Sequence, residues 1–203
     1  MTIEKGSAWG RPAPLPPDGV VVRSDGEARA VVEAARRAGE PLPVLGLLGG
    51  DLCRTLGGTG DEGRLRSGDA MTFPVDLGAA LVDGTIHWFV AHLVARRGWW
   101  RGRVVAAMNA QWLGSWDLGP RSHPNDGLLD ISDGDLSLSD RWKARSRLAT
   151  GTHVPHPDIA VRRVPSLALE LAPPLDIWLD GERIGRGTDV VVRTEPDALT
   201  VVV

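Results

Sequence analysis

Beyond about residue 62 the sequence leaves little room for helix, because its apolar residues fall in short runs cut apart by turn signals. Residues 75–81 and 85–90 flank Asp83-Gly84, a dipeptide suited to the left-handed backbone of a two-residue hairpin. Residues 103–108, 159–164, 167–171, 177–179, 190–193 and 199–203 read as further strands, and residues 128–131 and Leu136 flank a second turn at Asp133-Gly134. One helix is expected at residues 140–148, with Ser139 as its cap and Gly151 just past its end. Strands that cannot bury themselves against helices must pack on one another. Residues 63–203 are therefore expected to form a mostly antiparallel β-sandwich domain.

The first 62 residues follow a different grammar. Residues 1–19 are rich in Pro and Gly and read as an arm with little regular structure. Val20-Val21-Val22 is a short buried strand. Ser24 caps a following helix, with Glu27 placed three positions on as a capping box requires and Gly39 at its C-terminal end. Residues 44–48 form a second apolar strand, after which Gly49-Gly50-Asp51 leads into a short helical stretch, residues 52–56. This strand–helix–strand–helix order is that of a parallel α/β layer, so the fold class expected is α+β.

Composition excludes several roles. A net charge of -3 gives no basic footprint for nucleic acid, and Cys53, the single cysteine, rules out an intrachain disulfide or a cysteine metal cluster. Cys53 has apolar neighbours and is expected to be buried and inert. No apolar run approaches the ~20 residues of a membrane span, and residues 1–10 hold no apolar leader, so a cytoplasmic protein that meets a membrane only at its surface is expected. His153 and His156 stand three apart, but Pro155 and Pro157 argue against the helix that would let them share a metal. Trp99-Trp100 beside Arg96, Arg97, Arg101 and Arg103 fits either an interfacial patch for anionic lipid or a hairpin end with stacked rings.

Two segments carry the chemistry. Asn125-Asp126-Gly127, with Pro124 before it and Leu128-Leu129-Asp130 after it, is more than a bare turn tripeptide, and Asp180-Gly181-Glu182 follows downstream. Together they resemble the diacylglycerol-kinase-like and sphingosine-kinase-like bacterial lipid kinases. The resemblance implies a lipid-kinase or NAD-kinase-like fold and ATP-dependent phosphorylation of a lipid hydroxyl, diacylglycerol-like or sphingoid. It implies a structural Mg²⁺ held by the Asp126 carboxylate with carbonyls of His123 and Leu128, a hard-oxygen set that suits this ion. Glu182 would be the base that takes the hydroxyl proton, with Asp25 beside it in catalysis. Asp25, Gly26, Gly49, Gly50 and Asp51 would hold the nucleotide, and Asp25, Asp51 and Glu182 would meet in one cleft.

The resemblance is weaker in the α/β part. Where the family has G-G-D-G-T, this chain has Arg23-Ser24-Asp25-Gly26-Glu27, and a Gly-Thr pair has become Leu47-Leu48. Side chains replace the bare backbone that cradles phosphate, and Glu27 adds a like charge near a polyanion. Only residues 1–22 precede Arg23, where the family carries a further strand and helix, so a truncated nucleotide-binding layer is expected. The alternative is a non-catalytic lipid-binding or regulatory module that has lost ATP binding. Partners expected are a lipid at a membrane surface and a second copy or another chain completing the nucleotide site.

Overall fold

The computed structural model describes residues 9–203; the first part of the expected arm, residues 1–8, lies outside the described residues. The rest of the arm contributes only the two-residue strand β1 (Arg11–Pro12). Strand β2 (Val20–Val22) and strand β3 (Leu45–Leu47) pair in parallel, joined across helix α1 (Asp25–Ala38). Ser24 Oγ accepts the Glu27 N–H at 3.1 Å, as the cap requires, but Glu27 Oε2 reaches the Arg23 N–H at 2.7 Å rather than that of Ser24. Gly39 ends α1 with φ 69°, its N–H bonded to the last-turn carbonyls. Helix α2 (Asp51–Thr55) and helix α3 (Glu62–Leu65) complete this part.

Strand β4 (Met71–Val82) then opens the antiparallel part. It turns through Asp83 and Gly84, with φ 45° and 85°, into β5 (Thr85–Phe89). Strands β6 (His92–Gly98) and β7 (Arg101–Met108) form the next hairpin, and β8 (Trp112–Leu113) and β9 (Trp116–Asp117) a small separate one. Strand β10 (Leu129–Gly134), helix α4 (Leu138–Leu148), β11 (Ile159–Val164), β12 (Ser166–Leu179) and β13 (Glu182–Val202) follow. The main sheet has 11 strands and runs β1-β4-β13-β12-β6-β7-β10-β11, with β5 on β4. Strand β13 joins the two parts, since Val201 and Val202 pair in parallel with Leu45 and Gly46 of β3 while its other segments pair with β4 and β12.

Alternate residues of these strands make the main core. Leu93 and Ala95, Val105 and Ala107, Leu129 and Ile131, Ile177 and Leu179, and Val190 and Val192 all point into one cluster with Phe89. The opposite face of the β6–β7 hairpin carries Val94, Ala106 and Met108, which pack with Leu118, Trp99, Leu148 and Trp178. That second face becomes the floor of a cleft. A third cluster joins Val22, Val32, Leu45, Leu47 and Leu52 of the α/β part to Val75, Leu77, Leu199 and Val201 of the sheet, so the α/β layer is fixed on the β part by apolar packing.

Several local expectations need correction. Asp133-Gly134 is not a turn: both residues lie in β10, paired on one side with Val105 and Val104 and on the other with Ala160 and Ile159. Sheet pairing on both edges overrides the turn preference of the dipeptide. Helix α4 starts earlier than expected and is capped by Ser137, whose Oγ accepts the Asp140 N–H at 3.2 Å, while Ser139 lies inside the first turn. Residues 167–171 and 177–179 belong to one strand, as do 190–193 and 199–202, with Val203 just past its end; the breaks between them are register shifts at 170/175 and 195/199. Strand β6 had no expectation at all, because His92–Ala95 is buried on both faces and shows no alternation.

Phe89 covers the position where a Cβ on Gly78, its cross-strand partner, would stand 2.2 Å from the ring. Replacing Phe89 by Ala therefore empties a fully buried site and is expected to lower stability by about 3–5 kcal/mol in urea unfolding; a loss below about 1 kcal/mol would show that the ring does not hold this sheet.

Candidate functional site

The β12–β13 hairpin turns at Asp180-Gly181, where Asp180 adopts φ 50° and Gly181 φ 84°. The turn is not exposed at Asp180, which is 8% accessible. Its carboxylate accepts the consecutive N–H groups of Val90 (2.9 Å), Ala91 (2.8 Å) and His92 (3.1 Å). Burial pushes this carboxyl up, while the nearby His92 charge and the three N–H donors oppose that rise.

This anchor fixes the start of β6 and with it the His92 side chain. His92 Nε2 lies 3.0 Å from Asp51 Oδ2, and Asp51 Oδ1 accepts the Gly114 N–H at 2.8 Å. Burial is the largest influence on both groups and disfavours their charges. For Asp51 the His92 bond, the Gly114 N–H and the His92 and Arg54 charges outweigh it and hold the carboxyl below its usual range. For His92 the Asp51 bond and the charges of Asp180, Asp51 and Asp25 outweigh it and raise the imidazole above 6.5. The two meet at the polar end of the cleft and form an ion pair when the imidazole is protonated.

Asp25 completes the group. Its carboxylate accepts the N–H groups of Asp51 and Leu52, the latter at 3.2 Å, and so caps α2 from across the loop. A Cβ on Gly50 would stand 2.5 Å from Asp25 Oδ1, and one on Gly49 2.5 Å from the Arg23 carbonyl oxygen. The two glycines thus let the β3–α2 loop close on the β2–α1 loop. Burial, and then the charge of Asp180, push Asp25 up to about 7. Cys53 is buried and burial pushes its thiol up to about 11, in keeping with an inert side chain.

Glu182 and Gly26 do come together with this group: a Cβ on Gly26 would lie 2.8 Å from Glu182 Oε1. The other Glu182 oxygen is held by Arg29, a buried side chain that also pairs with Glu33 at 3.3 Å. His123, Asp126 and Leu128 lie elsewhere, at the loop before β10. There Asp126 Oδ1 accepts the Leu128 N–H at 3.0 Å and Oδ2 is held by Arg163, which also reaches Asp130 at 3.2 Å. His123 Nδ1 faces the Asn125 N–H at 3.3 Å and its ring packs on Trp9. The loop itself is held by the buried Asp76, which accepts the Gly127 N–H at 2.6 Å and the Asp197 N–H at 3.0 Å. A guanidinium stands at the Asp126 carboxylate, so the expected Mg²⁺ would have to displace Arg163 there.

Asp25, Asp51 and His92 place one ligand atom each within 4.8 Å of one another. The set includes an imidazole nitrogen, and every carboxylate oxygen in it already accepts an N–H. Magnesium prefers hard oxygens and several waters, so a set with an imidazole nitrogen suits it poorly.

From the Asp51–His92 pair the cleft runs outward as a cavity of about 460 Å³, lined by Val94, Arg96, Trp99, Trp116, Arg145 and Trp178 among others. Through Trp99, Trp116 and Arg145 it adjoins a second cavity of about 110 Å³, walled by Trp100, Val104, Ala106, Leu118, Leu148 and Ile159. Arg96 stacks between the Trp99 and Trp178 rings at 4.6 Å from each. His153 lines the apolar cavity, with both ring nitrogens buried and unpartnered in the described residues, and burial lowers its basicity. Sequence reasoning had singled out Asp25, Asp51 and Glu182 but missed His92, Asp180 as an anchor, and Arg163.

The family model of the YegS C-terminal NAD kinase beta sandwich-like domain matches residues 78–203. No curated protein matches the chain. Among solved structures, one of a diacylglycerol kinase from Bacillus anthracis str. Sterne superposes with a TM-score of 0.62 at 17% identity, covering 91% of this chain and 75% of that one. A crystal structure of a candidate diacylglycerol kinase from the same organism superposes with a TM-score of 0.67 at 17% identity, covering 91% of this chain and 77% of the other. At this identity the likeness concerns the fold. No helix of the described residues is long and apolar enough to cross a membrane.

The raised groups set a pH dependence. A carboxyl raised from 3.8 to about 7 binds protons in the folded state that the unfolded state has released, so Asp25 makes stability fall as pH rises across that interval, by on the order of 4 kcal/mol. His92, raised above 6.5, adds stability that is present below that value and lost as pH climbs through its folded value. Urea unfolding of wild type and Asp25→Asn across this range is expected to show a shallower lower limb in the variant, where Asp180, Asp76 and Asp130, also raised by burial, still contribute, with the His92 limb kept in both. Parallel curves for the two proteins would contradict this assignment.

Proposed function

The chain belongs to the family of the YegS C-terminal NAD kinase beta sandwich-like domain, and from that premise we propose that it is a lipid-binding homologue of the lipid kinases. It takes the hydroxyl-bearing head of a diacylglycerol-like or sphingoid lipid at the Asp51–His92 pair and the apolar part among Trp99, Trp100 and Trp116. The observation that carries this reading is the polarity gradient along the cleft. An ion pair lies at one end, a tryptophan-walled cavity at the other, and shared side chains connect them. The unpartnered His153 adds a polar contact point to the cavity wall, beside Ser132, Arg141 and Arg145, suited to a hydroxyl or carbonyl of a lipid backbone.

Nucleotide is not part of the primary reading. The N–H groups at the start of α2 already serve the Asp25 carboxylate, so an incoming phosphate would have to displace a buried anion. Arg23 and Ser24 replace glycines, Ser24 is committed to capping α1, and Glu27 repels a further negative charge.

ATP-dependent phosphorylation of the lipid hydroxyl is the second reading, favoured by the meeting of Asp25, Asp51 and Glu182 near one end of the cleft. In it the hydroxyl oxygen bonds to the γ-phosphorus as the bond to the ADP oxygen breaks, and the proton passes to Glu182, which Arg29 keeps oriented. A partner chain would then have to complete the phosphate site.

Titration of a short-chain diacylglycerol, followed by tryptophan fluorescence, is expected to give saturable binding that Trp116→Ala weakens by about tenfold or more. Calorimetry with ATP-Mg²⁺ is expected to give no heat at millimolar nucleotide. Lipid affinity indifferent to Trp116 would remove the cleft from the account, and sub-micromolar ATP affinity in the unmodified chain would replace the primary reading by the second.

A further inference from the structure

The most exposed large apolar side chains of the described residues are Trp142 (70%), Leu138 (66%) and Trp100 (45%). They are neighbours. Leu138 and Trp142 stand four apart on α4 and so share one face of the helix, and the Trp142 ring lies 6.3 Å from that of Trp100 at the tip of the β6–β7 hairpin. Isolated exposed hydrophobics are ordinary, but a cluster of this kind marks a contact surface.

The surroundings are basic although the chain carries a net charge of -3. Residues 96–103 include Arg96, Arg97, Arg101 and Arg103 and no acidic residue, and α4 carries Arg141, Lys143, Arg145 and Arg147 against Asp140 alone. Arg97, Arg101 and Arg147 are exposed and form no ion pair among the described residues. Tryptophan beside unpaired arginine is the combination that suits the headgroup layer of an anionic bilayer, where the ring reaches the acyl boundary and the cation meets phosphate.

The patch is also rigid and well placed. The buried Arg141 donates from Nε to the Leu136 carbonyl (2.9 Å), from Nη1 to the Trp99 carbonyl (3.2 Å), and from Nη2 to the Gly102 carbonyl and Asp135. It thereby fastens α4 to the hairpin tip. Between these two elements lies the apolar cavity, with Trp100, Arg141, Ala144, Arg145 and Leu148 in its wall.

We propose that this rim, Leu138 and Trp142 of α4 with Trp100 of the hairpin tip and the arginines around them, docks the protein on the surface of an anionic bilayer. The mouth of the apolar cavity then faces the lipid. The inference rests on the lipid-binding reading for the use of the surface, but the docking itself is a separate property.

Co-sedimentation with vesicles tests it. Vesicles of phosphatidylcholine containing phosphatidylglycerol are expected to carry the protein down, vesicles of phosphatidylcholine alone much less, and added salt should weaken the binding. The pair Leu138→Ser and Trp142→Ser, and separately the pair Arg101→Glu and Arg147→Glu, should each weaken it by about tenfold or more. None of these residues lines the cavities, so affinity for a soluble short-chain diacylglycerol should stay as in wild type; its loss in wild type would indict the cleft reading, not this surface. The proposal is overturned if anionic vesicles are not bound, if either pair of substitutions leaves binding unchanged, or if the patch instead joins two copies, seen as a dimer in sedimentation that Trp142→Ser dissolves.

Discussion

One buried carboxylate ties the sheet to the cleft. Asp180 receives three successive backbone N–H groups from the turn between β5 and β6, and each such bond to a charged acceptor contributes roughly 1.5–3 kcal/mol. The other side of that turn is held by Asn109, whose Nδ2 donates to the Val90 carbonyl at 2.8 Å and to the Asp76 carbonyl at 2.9 Å. Clamped from both sides, the turn sets the start of β6 and so the position of His92. Asp51, and the α2 start that Asp25 caps, meet it there. The same hairpin turn sends β13 back along β4 to pair with β3, so the residue that shapes the cleft also lies where the α/β layer and the β part are joined.

The groups at the polar end already have partners. His92 faces Asp51, Arg29 pairs with Glu182 and, together with Arg37, with Glu33, and the α2 N–H groups serve Asp25. An anion entering there must break one of these arrangements, whereas a neutral hydroxyl can join them by sharing a lone pair or a proton. That asymmetry favours a lipid alcohol over a phosphate at this end. Farther out the charge gives way to indole and aliphatic surface, where burial of an apolar group would contribute about 25 cal/mol for each Å² removed from water.

Much of the scaffold was legible in the residues. Asp83-Gly84 specified its hairpin because only a left-handed pair fits a two-residue turn with the sheet's twist, and Ser24 and Gly39 bounded α1 through backbone bonds that local sequence determines. Local signals failed where distant pairing decided. Asp133-Gly134 carries a turn signature but is enclosed between β7 and β11, and β6 is buried on both faces and shows no period. Of the site, Asp25, Asp51 and Glu182 could be found through the resemblance. His92 belongs to no motif; its only trace is an imidazole inside the apolar run Val90-Ala91-His92-Leu93. Arg163 lies 37 residues beyond Asp126, and nothing in either segment announces their pairing.

Asp180 fastens the β5–β6 turn and thereby places His92. Amide hydrogen exchange measures it directly. In the wild-type protein the Val90, Ala91 and His92 amides are predicted to exchange as slowly as those of the central strands β12 and β13. In Asp180→Asn they should exchange faster by roughly a hundredfold or more, because one of the two accepting oxygens becomes an amide donor, while β12 and β13 stay protected. Rapid exchange of these three amides in the wild-type protein, or rates unchanged by the substitution, would contradict it.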